Sequence, residues 1–373
     1  MNSLIKVFMI SFFLVAIAFS NRTAGVKAAP VHEQDLSSFL NELFNKRNDL
    51  LIDSKQGTIE QYYLKEKTSK YALHHERNRS KYIQLWAEKR KIDFVEATGV
   101  IHIKRLKPLG SDLARVSLDH SLKLSYIYLN KILPPQSFGI GTRHEIMLKK
   151  MNGKWLVLRE WYSDPLDENP KWIPETTDGL APSVKMGEAA EKFDGKYNRK
   201  RAVAYATKYS GTAWGAGNNH RYNSKYLDYT GQGGDCTNFA SQVIGDPVEG
   251  GGLPMFGGWR YLYSVGGKKT WVQTDAFKNF LLRSGYGTVV GRGRFTDVVK
   301  PTEKNAHGAI SQLMPGDLIA YVIRGDVDHF SIVVGFDQNG YPLVNSHTAD
   351  RYRVPFDLGW DKYTDYLLIH VKG

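Results

Sequence analysis

The 373-residue chain carries 50 Lys and Arg against 38 Asp and Glu, a formal charge of +12, and is 42% hydrophobic and 12% aromatic. That is too apolar for a disordered chain, and after the first segment no apolar run approaches the ~20 residues that a membrane-crossing helix needs. The single cysteine excludes an internal disulfide and a cysteine-rich zinc site.

Residues 1–28 read as an export signal. Lys6 supplies a positive start, Val7 to Phe19 is almost unbroken apolar sequence, and Val26-Lys27-Ala28 offers a small-residue cleavage site. The expected location is therefore extracellular or cell-wall associated, with no transmembrane segment once the leader is cleaved. Cleavage removes Lys6, Arg22 and Lys27 but no acid, so the mature chain stays strongly basic. Such a chain concentrates near polyanions, and anionic cell-wall polymers are the expected partners. No nucleic-acid motif is present, so nucleic acid is not an expected partner.

Residues 31–164 are predicted to form an N-terminal α+β domain. Leu36, Phe39, Leu40, Leu43 and Phe44 fall at helical spacing within Asp35 to Ile52, and Tyr62 to Trp86 reads as one or two more helices. Phe94 to Ile103, Ala114 to Leu129, Glu145 to Lys150 and Trp155 to Trp161 alternate as strands, with Asn152-Gly153 turning the last pair. Helices followed by a meander predict helices packed on a curved antiparallel sheet. That order resembles the nuclear-transport-factor-like fold. His74 and His75 are expected on a charged helix surface. No catalytic constellation stands out in this half.

Pro-rich residues 165–185 read as a linker, and 186–373 as a second domain that restarts with a helix over Tyr197 to Tyr209. Its centre is Gly233-Gly234-Asp235-Cys236-Thr237-Asn238-Phe239-Ala240-Ser241-Gln242-Val243-Ile244. Two glycines permit a tight turn, Asp235 is a good N-cap, and Phe239, Ala240, Val243 and Ile244 share a helical face. Cys236 thus occupies a first helical turn, where the peptide dipoles favour a thiolate and free N–H groups can hold an oxyanion. His329, opening the apolar strand His329 to Phe336, is the expected base. In the next strand, Leu343 to His347, alternation puts Asn345 and His347 on one face. Either can orient His329, with His347 preferred. The basic stretch Arg283 to Ala309 reads as an insertion that either caps the cleft or dangles.

Together with Tyr205-Ala206, Pro315-Gly316-Asp317, Asp328-His329 and Ser346-His347-Thr348, the cysteine segment resembles the bacterial family described as a putative amidase domain. That family lies within the NlpC/P60 and CHAP circle of papain-like cysteine hydrolases. The resemblance covers roughly the last half of the chain. It implies a papain-like α+β domain with the nucleophile helix packed on an antiparallel sheet. It also implies cleavage of an amide or peptide bond in a peptide or peptidoglycan-like substrate, through a thioester on Cys236. No metal or organic cofactor is needed. By the same resemblance Tyr222 and Asn219 are oxyanion or substrate candidates, beside Asp235. Two other readings remain at this stage: an acyltransferase or transpeptidase on the same site, and an inactive wall-binding module.

Overall fold

The computed structural model describes residues 33–53, 58–166, 169–175 and 196–372; the expected signal peptide and most of the expected linker lie outside them. Two helices open the chain, α1 (Glu33–Ile52) and α2 (Lys67–Arg90), followed by four long strands: β1 (Ile92–Pro108), β2 (Leu113–Tyr128), β3 (Gln136–Met151) and β4 (Lys154–Tyr162). The second half contains α3 (Arg199–Lys208), α4 (Cys236–Gly245), the small pair β5 (Tyr261–Leu262) and β6 (Gly266–Gly267), α5 (Lys269–Val272), and α6 (Thr274–Ser284). It continues through β7 (Gly287–Arg294), α7 (Phe295–Val299), β8 (Leu318–Ile323), β9 (Asp326–Phe336), β10 (Pro342–Ser346), β11 (Asp350–Pro355) and β12 (Asp365–Val371). The chain is α+β, as expected, and no described helix is long and apolar enough to cross a membrane.

In the first half the helices cover one face of the β1–β4 meander. Leu36, Leu40, Leu43 and Phe44 of α1 pack on Ala114, Val116, Ile146 and Val157, the inward set of an alternating sheet. Asn152 (φ 50°) and Gly153 (φ 80°) close the β3–β4 hairpin, the left-handed pair that a two-residue turn requires. β3 is nine residues longer at its start than the alternation predicted. Gly139 and Gly141 interrupt the apolar pattern there, because the loop after α3 lies directly on them. A Cβ on Gly139 would stand 1.9 Å from the Trp214 carbonyl oxygen, and one on Gly141 2.2 Å from Thr212 Oγ1.

That extra length joins the two halves. Gly139–Gly141 pair antiparallel with Asp350–Tyr352, so one ten-stranded sheet runs β1-β2-β3-β11-β10-β9-β8-β12-β7, with β4 on β3. The apolar cluster of Tyr82, Trp86, Phe94, Leu124 and Phe138 continues into Val354 and Leu358. Buried charge also crosses the seam. Asp357 accepts from Arg90 Nη2 at 2.6 Å, Trp86 Nε1 at 2.9 Å and Tyr341 OH at 2.6 Å, while Asp337 accepts from Tyr126 OH and Tyr128 OH at 2.7 and 2.6 Å. The Arg283 to Ala309 stretch does not dangle. β7 pairs with β12 and forms one edge of the sheet, where arginines and glycines suit a solvent-facing strand.

Inside the first half lies a buried ionic cluster: Arg47 pairs with Glu160, and His144 Nδ1 stands 2.8 Å from Glu160. Burial pushes His120 well below its ordinary value, aided by His144, and His144 is also lowered by burial. Both rings are therefore neutral in the folded protein, whereas the unfolded chain takes up protons at a pH of about 6.5. Stability is then complete above that pH and is lost as the pH falls below it. The melting temperature is expected to drop from pH 7.5 to pH 5, and His120→Gln to flatten that dependence. An unchanged slope would show that His120 is protonated in the native state. Asp357→Ala leaves Arg90 buried without its carboxylate. It should cost about 3–5 kcal/mol in denaturant unfolding, monitored through both halves of the chain, which lose structure in a single transition.

Candidate active site

Gly233 (φ 105°) and Gly234 (φ 125°) turn the chain into α4, and Cys236 is its first residue. Asp235 stands at the N-cap position but makes no side-chain cap bond. Its carboxylate turns inward instead, accepting from Tyr229 N and Asn238 Nδ2 at 2.9 Å each and meeting His347 Nδ1 at 2.6 Å. The Asp235 N–H donates to Thr348 Oγ1. The turn before the cysteine is thus held from both sides, and the first N–H groups of the helix are left uncapped by the aspartate.

The sulfur is only 7% exposed, yet it lies on the wall of a cleft of about 600 Å³. Gln232, Thr237, Lys269, Gln273, Asp275 and Asp328 supply the polar part of that wall. Two groups address the sulfur: the backbone N–H of Phe330, and Thr237 Oγ1 at 3.8 Å. Burial pushes the thiol up to about 11, although the Phe330 N–H and the Thr237 hydroxyl work against it; Asp235 and Asp328 add to the rise. The sequence reading expected the helix start to lower this value. Desolvation outweighs the dipole in the ligand-free cleft.

His329 is 7% exposed and neutral, pushed down to about 3 by burial, with Arg351 and His347 contributing. Its ring lies 5.9 Å from Tyr321 and 5.6 Å from Trp360, and its Nε2 has no hydrogen-bond partner. No hydrogen bond joins His329 to Cys236 in this resting state. Their link is the strand backbone, since the N–H that meets the sulfur belongs to the next residue.

Neither proposed orienting residue reaches His329. Asn345 pairs in register with Ile332, three positions along β9, and therefore projects from the opposite face. Its amide donates to Ala206 O at 3.0 Å and Ser210 Oγ at 2.8 Å, and its oxygen accepts from Arg353 N at 2.7 Å. His347 is engaged by Asp235 and, through Nε2 at 2.6 Å, by the Tyr209 carbonyl. β10 ends at Ser346, so the alternation expected over Leu343 to His347 does not extend to His347, and the register against β9 was not legible.

Tyr222 also differs from its expected role. Its hydroxyl donates to Asp350 Oδ1 at 2.5 Å, and its ring lies flat on His347 with centroids 3.5 Å apart. It buttresses the histidine and has no hydroxyl free for an oxyanion. Asp235 likewise serves His347, not a substrate oxygen. Asn219 sits exposed in a turn with φ 53°, a position that suits asparagine for backbone reasons alone. Gln232 and Asp328 were not singled out as cleft residues from the sequence, although Gln232 directly precedes the cysteine segment and Asp328 belongs to the quoted Asp328-His329 pair.

Comparison with known proteins bears on the half that carries the site. Residues 196–369 match a family model described as a putative amidase domain. No curated protein matches the chain. Three solved structures resemble part of it at low similarity. An NTF2-like protein from Cytophaga hutchinsonii shows 10% identity and a TM-score of 0.22, covering 36% of this chain and 98% of that one. A periplasmic fragment of TraM shows 13% identity and a TM-score of 0.24, covering 35% and 96%. An NTF-2-like protein of unknown function from Shewanella oneidensis shows 12% identity and a TM-score of 0.20, covering 35% and 99%.

A thiol held near 11 and a neutral imidazole describe a resting site with no preformed thiolate–imidazolium pair. Iodoacetamide labelling of Cys236 in the free protein should be slow at pH 6–7 and rise steadily towards pH 10. A reactive plateau below pH 7 would show an ion pair that the resting geometry lacks.

Proposed function

We propose that the chain is a cysteine amidase that cleaves a peptide or related amide bond, with Cys236 as nucleophile and His329 as base. The observation that carries this reading is the place of the sulfur: the first position of α4, on an open cleft wall, against the backbone that begins the His329 strand. Such a helix packed on an antiparallel sheet is the arrangement of NlpC/P60-type papain-like hydrolases, and the family match over 196–369 supports amide chemistry.

In the proposed reaction the Cys236 thiol passes its proton to the neutral His329 imidazole as the sulfur attacks the carbonyl carbon. The tetrahedral oxyanion lies at the start of α4, where the Cys236 N–H, with the Gln232 carboxamide on the same wall, donates to it. One such donor is worth ~3 kcal/mol of barrier. The C–N bond then breaks, His329 returns the proton to the leaving amine, and an acyl thioester remains. Water, deprotonated by the same imidazole, releases the acid and restores the thiol. In the resting structure the His329 ring packs with Tyr321 and Trp360 on the face of β9 away from α4 and does not line the cleft, so this step requires the imidazole to swing around the start of the strand to reach the sulfur. Bringing a neutral base up to a neutral thiol requires no charge to be buried before substrate arrives.

The basic net charge and the export signal expected at 1–28 favour a substrate in an anionic bacterial wall, and wall peptides are the proposed class. Mass spectrometry of purified peptidoglycan digested with the wild-type protein should reveal new carboxylate and amine termini. Cys236→Ala should give none, and His329→Ala should lose at least about a hundredfold in rate. Identical products from wild type and Cys236→Ala would end the proposal.

A further inference from the structure

The first half of the chain reaches the site through one side chain. Arg143 projects from β3, two residues beyond the strand pairing that joins the halves. Its Nη2 stands 2.9 Å from Asp350 Oδ2 on β11, and its guanidinium lies 5.2 Å over the Tyr222 ring. Asp350 is fully buried and also receives the Thr212 N–H and hydroxyl at 2.8 and 2.9 Å, besides the Tyr222 hydroxyl. Thr212 can stand there only because Gly141 has no side chain.

From Tyr222 the line continues to the cysteine. The Tyr222 and Phe239 rings sandwich His347, with centroids at 3.5 and 3.7 Å and planes tilted by 6° and 14°. The two His347 nitrogens face the Asp235 carboxylate and the Tyr209 carbonyl, at 2.6 Å each, so the ring is held from both ends. A continuous row of contacts therefore runs from the half-buried Arg143 through Asp350, Tyr222, His347 and Asp235 to the residue before the sulfur. The Asp235 carboxylate also bears on the Cys236 thiol and disfavours its ionisation, so the hold of His347 on Asp235 governs how the sulfur is presented.

We propose that Arg143 is a positioning residue for the cleft. The N-terminal half completes the active site by locking Tyr222 and Asp350, which hold His347 on Asp235 and fix the turn that presents Cys236. This rests on the amidase reading for its catalytic consequence, but not for its effect on the sulfur. Removing the guanidinium leaves Asp350 buried without its cation and frees Tyr222 to leave the stack. The cysteine turn then loses its registration. Misplacement of a nucleophile on the ångström scale costs about a hundredfold in rate.

The test uses the full chain with Arg143→Gln, Arg143→Lys and, as a stability control remote from the row, Val116→Ala in the first-half core. Three quantities are read: the iodoacetamide rate at Cys236 at pH 8, kcat and KM on soluble peptidoglycan fragments, and the melting temperature. Arg143→Gln should slow alkylation and lower kcat by about ten- to a hundredfold with little change in KM. Arg143→Lys, which keeps the charge, should recover part of both. Val116→Ala should lower the melting temperature while alkylating at the wild-type rate. Wild-type alkylation by Arg143→Gln, or equal slowing by Val116→Ala, would overturn the proposal. If peptidoglycan is not cleaved at all, the amidase reading fails, while the alkylation rates still decide the role of Arg143.

Discussion

The antiparallel pairing of β3 with β11 is the constraint on which the rest of the molecule depends. Three residues of the first half, Gly139 to Gly141, hydrogen-bond to Asp350 to Tyr352 of the second and convert two sheets into one. The pairing demands small residues on β3, because the Thr212–Trp214 loop covers the same spot. Once it forms, the buried contacts of Asp357 and Asp337 follow on the flank of the seam, since each carboxylate is supplied by the second half and one of its oxygens is satisfied by donors from the first. A buried carboxylate without donors is costly. Those aspartates therefore tie the identity of one half to the presence of the other.

The same seam reaches the chemistry. β11 begins at Asp350, three residues after His347, and between them Thr348 and Ala349 take positive φ as the chain leaves β10. His347 is thereby carried off the sheet and onto the Asp235 turn, and the end of β10 leaves the Phe330 N–H free to face the sulfur. The site thus combines a rigid element, the start of α4, with a sheet edge that the neighbouring strand has vacated. A thiol stored in its neutral form within that arrangement is protected from adventitious oxidation, since the thiolate is the reactive species.

Much of this was legible from residues alone. The Gly-Gly-Asp-Cys segment predicted a helix beginning at Cys236, and α4 begins there, because glycine freedom, N-cap chemistry and helical spacing are all local properties. The hairpin at Asn152-Gly153 and the strand that His329 opens are local in the same sense, although β9 extends three residues further back, to Asp326. What failed was non-local. The face that Asn345 takes depends on the register of β10 against β9, where a slip of one residue reverses every side chain, and His347 lies beyond the end of β10. The first half of β3 escaped notice because its glycines answer to a loop some seventy residues later. β7 was hidden by arginines and glycines that suit a sheet edge but imitate an insertion. Arg143 carried no signal except its place after Gly139-Ile140-Gly141-Thr142, a run that makes sense only once the loop is seen lying on it.

The central claim is that the Cys236 sulfur is the atom that bonds to the substrate carbonyl. The most direct measurement is ¹³C NMR of the protein with a ¹³C-labelled aldehyde analogue of a peptide it cleaves. The account predicts a thiohemiacetal carbon resonance that disappears when Cys236 is alkylated beforehand. A protein that turns over the parent peptide but shows no such resonance, or one whose resonance survives alkylation, would contradict it.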